Sequence, residues 1–138
     1  MANIEVSIEI GAQRDKVWNV VADLDNEPKF WKGTKEIRNI VKKENTISRE
    51  ITIAFRDQKC MQEIELKPEE RIEIKFTKGI IDGDKIITLI TSDKKTILKV
   101  NWNIRLTGMM GMFTGIIKNH IENGTKQALQ KIKEEIEK

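Results

Sequence analysis

Between Ile4 and Leu106 apolar and polar residues alternate in short runs, the period of β-strands with one covered face. Ile4, Val6, Ile8 and Ile10 interleave with Glu5, Ser7 and Glu9, and Gly11 closes the run. A short helix is expected next, with Val17, Val20, Val21 and Leu24 on one side, flanked by Trp18, and Arg14, Lys16 and Asn19 on the other. Asp25-Asn26-Glu27-Pro28 reads as a break and a helix start, because proline costs little in a first turn. That second short helix carries Phe30 and Trp31 as far as Gly33. Strands follow over 35–43, 46–55, 58–66, 71–78, 85–91 and 96–106, with Gly79 to Gly83 read as a loop. Parity in 85–91 is ambiguous, since Ile86 and Ile87, and Leu89 and Ile90, are adjacent; apolar cover on both faces or a bulge is expected there.

From Gly108 to Lys138 the period changes. Phe113, Ile116, Ile117, Ile121, Ala128, Leu129, Ile132 and Ile136 recur at spacings of three and four, one apolar stripe on a long helix. The stripe swings by about a quarter turn between Ile121 and Leu129, with Gly124 between its halves. A mid-helix glycine costs about 1 kcal/mol against alanine, so a bend, a close strand approach or room for a ligand is expected there. Gly108, Gly111 and Gly115 with Met109, Met110 and Met112 make a pliable helix entrance, read either as an adaptable gate or as a loosely specified helix start. A one-sided sheet and a one-sided helix must cover each other. The fold class is therefore α+β, a curved sheet holding a long C-terminal helix in a single domain over 1–138.

Composition narrows the function classes. Charged residues at 34% against 38% hydrophobic leave enough apolar mass for a packed core in 138 residues. The 25 basic and 22 acidic residues are interspersed, so the net charge of +3 is no nucleic-acid footprint. Cys60 is the only cysteine, which excludes an internal disulfide and any need for an oxidising compartment. No apolar run approaches about 18 residues, and the opening MANIEVSIEIG shows no basic stretch before an apolar block. Neither a transmembrane segment nor a secretory signal is expected, and the cytoplasm is the default location. No glycine-rich phosphate loop, paired histidines at metal spacing or nucleophile elbow is present, so no metal or cofactor is expected.

A long helix cannot fill the whole concave face of a strongly curved sheet, and the remainder is a pocket. Its expected apolar lining is Ile51, Ile53, Ile64, Ile74, Phe76, Leu98, Val100, Trp102, Phe113, Ile117 and Ile121. The same alternation would equally pack as a solid core. Arg49 falls on the apolar parity of its strand, so it either reaches into the pocket for a carboxylate, phosphate or polar head group or snorkels out from the strand's end. Gln62 and Cys60 share an apolar-parity face, Cys60 as an inert buried thiol. His120, the single histidine, lies near the apolar face of the helix's first half, either as an acid/base or hydrogen-bonding group or as a satisfied rim residue.

The first strand, the segment Gly11-Ala12-Gln13-Arg14-Asp15-Lys16-Val17-Trp18, the following Ala22-Asp23-Leu24, and Trp31 resemble the opening of the polyketide cyclase/dehydrase and lipid transport proteins of the Bet v 1-like, START-related (SRPBCC) superfamily. The resemblance spans the chain, including the strand from Thr96 to Leu106 and the last helix. It implies a helix-grip fold, seven antiparallel strands wrapped around the C-terminal helix, with a cavity that commonly takes an apolar ligand. The first functional expectation is thus a monomeric or weakly dimeric protein that binds or transports a small hydrophobic or amphipathic molecule, such as a lipid, isoprenoid or polyketide-like compound, anchored by Arg49 and His120. The alternative is a protein- or membrane-interaction module working through the Met-rich entrance. A cyclase or dehydratase is third, because it would need His120 and a second titratable group converging on one ligand position.

Overall fold

A computed structural model describes residues 1–138. Strand β1 (Ala2–Ile10) leads into helix α1 (Arg14–Val21), a single 3₁₀ turn at Leu24–Asn26 and the one-turn helix α2 (Glu27–Phe30). Six strands follow: β2 (Thr34–Lys42), β3 (Thr46–Ile53), β4 (Lys59–Lys67), β5 (Arg71–Gly79), β6 (Ile81–Ser92) and β7 (Lys95–Leu106). A 3₁₀ segment, Gly108–Phe113, then enters helix α3 (Thr114–Glu137). The strands form one antiparallel sheet in the order β1-β7-β6-β5-β4-β3-β2, in which each hairpin partner is a neighbour and only β1 joins from the far end of the chain.

Two elements differ from the sequence expectation. Gly83 lies inside β6, not in a loop: its φ is +122°, and a Cβ there would come within 2.0 Å of the Asn103 carbonyl oxygen. Glycine marks a strand that approaches its neighbour too closely for any side chain, and the break between β5 and β6 shrinks to Ile80. In 85–91 there is no bulge, since β6 keeps an unshifted register with both neighbours. Lys85, Ile87 and Leu89 point inward, whereas Ile86 is half-buried and Ile90 exposed on the outer face.

The concave face is divided along the length of its strands. At one end Ile47, Ile64, Ile72, Ile74, Ile87, Leu89, Leu98 and Val100 pack with Leu129 and Ile132 of α3 and with α1 and α2. At the other, Ile51, Ile53, Cys60, Phe76, Ile81, Ile104 and Leu106 form a second cluster that α3 reaches only through Ile117, joined by the half-buried Ile121. The quarter-turn shift in the helix stripe has this cause: Ala128, Leu129 and Ile132 are buried on the sheet, while the first half of α3 stands off it. Phe113 and Ile116, expected in the stripe, are exposed. α3 runs unbroken through Gly124, where an added Cβ would meet nothing within 4 Å. Of the three accounts of that glycine, open space is the one the structure shows.

Candidate functional site

The space between the sheet and the first half of α3 is a cavity of about 730 Å³. Ile51 and Ile53 of β3, Phe76 of β5, Leu106 of β7 and Ile117 and Ile121 of α3 give it apolar walls. It opens past Lys32, Arg56, Phe113, Ile116 and His120, all exposed side chains. Met109 and Met112, 91% and 80% exposed, stand in the 3₁₀ entrance, while Met110 turns inward onto the cavity.

Strand register explains the polar floor. Arg49 faces Gln62 across β3 and β4, and Lys85 faces Trp102 across β6 and β7. These residues form a belt across the sheet between the solid core and the cavity. Arg49 is completely buried and fully engaged: Nε donates to Gln62 Oε1 at 2.8 Å, Nη2 to Glu27 Oε1 at 2.6 Å and Nη1 to the Leu24 carbonyl at 3.3 Å. The other Glu27 oxygen accepts the Thr34 hydroxyl at 2.6 Å. Burial alone would raise the Glu27 carboxyl, but the guanidinium of Arg49, the ammonium of Lys85 and the Thr34 hydroxyl outweigh it and hold the group below its ordinary value. Glu27 is therefore a buried carboxylate whose two oxygens are both committed.

Lys85 is 3% exposed, and its Nζ lies 3.4 Å from the centroid of the Trp31 ring and 4.5 Å from that of Trp102. Trp102 is held by its Nε1, which donates to Thr125 Oγ1 at 3.0 Å; Thr125 in turn donates to the Ile121 carbonyl at 2.7 Å. Trp31 meets Trp102 edge to face and Phe76 stacks on Trp102, so two indole rings hold the ammonium and a third ring packs against one of them. Burial pushes Lys85 down to about 8; Glu27 opposes the fall and Arg49 adds to it.

The expected site residues separate into two groups. Ile51, Ile53, Gln62, Phe76, Trp102, Phe113, Ile117, His120 and Ile121 are brought together around the cavity. Ile64, Ile74, Leu98 and Val100 are not: they belong to the packed core, where Leu98 and Val100 border only a gap of about 20 Å³, room for about one water. Alternation fixes the face of a strand but not which end the helix fills. Arg49 is also corrected, because it neither enters the cavity nor snorkels out; Glu27 and Gln62 enclose it beneath the floor. His120 stands at the open rim. Cys60 is buried, which raises its thiol and leaves it unreactive. Sequence reading missed Lys85 and Glu27. The signal for Lys85 was its parity with Ile87 and Leu89, masked by the neighbouring Ile86 and Ile90; for Glu27 it was only a helix-start carboxylate beside a proline.

No group of three or more His, Cys, Asp or Glu side chains is placed to hold a metal ion, and no helix is long and apolar enough to cross a membrane. A seven-stranded curved antiparallel sheet gripping a C-terminal helix is the helix-grip architecture of START-related proteins. The chain belongs to the polyketide cyclase/dehydrase and lipid transport family, whose model matches residues 10–130. Among solved structures it is similar to TTHA0849 from Thermus thermophilus, at 13% identity and a TM-score of 0.84, covering 98% of this chain and 97% of that one. The Zhui aromatase/cyclase from Streptomyces sp. R1128 is 16% identical at a TM-score of 0.80, covering 99% and 93%. A START superfamily protein from Mycobacterium smegmatis is 11% identical at 0.74, covering 96% and 97%. What is shared at these identities is the fold. No curated protein sequence matches the chain.

Proposed function

We propose that the protein binds a small amphipathic molecule in the cavity, as a carrier or sensor. The observation that carries this reading is the cavity itself: about 730 Å³, within the ~300–1,000 Å³ range of small-ligand sites, with 13 of its 25 lining residues apolar and polar groups at both its floor and its rim. Side chains large enough to close such a space are common in packed cores, yet Gly124 faces it with no side chain at all. Membership of a family described by both cyclases and lipid transport supports a ligand of hydrophobic or polyketide-like character.

Native mass spectrometry of the purified protein, with organic extraction of whatever accompanies it, tests the reading. A stoichiometric adduct, or a rise in melting temperature with oleic acid, farnesol or an anthraquinone such as emodin, is the expected result. A bare protein mass together with no thermal shift for any of the three would overturn it.

A further inference from the structure

We propose that Lys85, held between Trp31 and Trp102 at the cavity floor, is the recognition group for an acidic headgroup, a carboxylate, on the molecule the cavity binds. This deepens the ligand-binding reading and rests on it. Glu27 (−1), Arg49 (+1) and Lys85 (+1) are the buried charges of the belt, so the site carries one positive charge in excess. Arg49 is matched to Glu27 at 2.6 Å, and both Glu27 oxygens are occupied. The ammonium of Lys85 is the unmatched charge, with ring faces and no oxygen within hydrogen-bonding distance. Every polar side-chain atom sealed from open space has a hydrogen-bond partner, so the partnerless Nζ faces the cavity, whose lining includes Lys85.

Hydrogen-bond polarity points the same way. The Gln62 oxygen is taken by Arg49 Nε, which leaves the amide nitrogen as the part of Gln62 presented to the cavity. Lys85 and Gln62 both offer protons, and a carboxylate, which only accepts, is the complement. The Trp31 and Trp102 faces fix the ammonium before a ligand arrives, so little side-chain freedom is lost on binding. The tail of such a molecule then lies along Phe76, Ile117 and Ile121 toward the opening at Phe113.

Matched probes separate the headgroup from the tail: dodecanoate against 1-dodecanol, and 1-naphthylacetate against 2-(1-naphthyl)ethanol, titrated by calorimetry into wild type, Lys85→Gln and Lys85→Arg. Wild type at pH 7 is expected to bind the acid of a pair at least about tenfold tighter than the alcohol. Lys85→Gln should lose that preference while still binding the alcohol, and Lys85→Arg should retain part of it. The preference should also fade as pH rises through about 8, where the ammonium of the free protein discharges. The other charged or titratable groups near Lys85 or facing this space, Glu27 of α2, the enclosed Arg49 of β3 beneath the floor, and Lys32, Arg56 and His120 at the rim, are unchanged in these variants. Equal affinity for acid and alcohol in wild type, or an undiminished acid preference in Lys85→Gln, overturns the headgroup assignment and leaves the cavity reading standing. Failure of both tails to bind in either form overturns the two together.

Discussion

At the scale of single residues, the belt holds a cation at a cost in stability. The fall of Lys85 from 10.5 to about 8 corresponds to about 3 kcal/mol of folding free energy. Because the folded-state value lies below the unfolded one, this penalty is present in full below about pH 8. It fades as pH rises from 8 toward 10.5, where the amine is neutral in both states. The two indole faces return part of it. Lys85→Met should therefore be more stable than wild type by about 1–3 kcal/mol at pH 7, and the gap should close by about pH 10. Urea denaturation across that pH range checks both the sign and the window. Arg49 behaves oppositely, since its charge is cancelled on the spot by Glu27; removing it would leave the buried carboxylate with only the more distant ammonium of Lys85 to answer it, at a cost of about 3–5 kcal/mol. One buried cation supports the fold, and the other burdens it.

At the scale of elements, two glycines of similar appearance in the sequence should answer alanine with opposite signs. In β6, Gly83→Ala drives a methyl into the Asn103 carbonyl at a φ of +122° and should cost at least about 2 kcal/mol. In α3, Gly124→Ala adds a methyl where nothing lies within 4 Å and should gain about 1 kcal/mol of helix stability. Paired thermal melts decide this: a lowered melting temperature for Gly124→Ala, or an unchanged or raised one for Gly83→Ala, would contradict the assignment concerned. The elements themselves were largely legible: seven strands were expected, though the one over 85–91 without clear alternation and four residues short at its start, and three-and-four spacing marked α3. What misled was glycine as punctuation at Gly83, because a residue type cannot say whether its missing side chain serves a turn or a close strand approach.

At the scale of the whole molecule, space left beside the helix was legible as a consequence of architecture, and the structure shows an open pocket of mixed lining there, whose chemistry was not legible. Parity correctly turned Arg49 and Gln62 inward, but which inward residues meet packed core and which meet open space depends on the position of α3 along the strands. Ile64 and Ile51 look alike in sequence, and α3 fills one end and not the other. Lys85 needed the register of β6 against β7 before it could be placed beside Trp102. The same division has a mechanical consequence. The half of α3 that stands off the sheet is held mainly through Ile117 and Ile121, whereas the half carrying Ala128, Leu129 and Ile132 is buried on it. Amide hydrogen exchange should therefore run faster over 114–124 than over 125–135. A molecule seated between sheet and helix should slow exchange in the first half alone, so the end of the helix that admits a ligand is also the end a ligand would fasten.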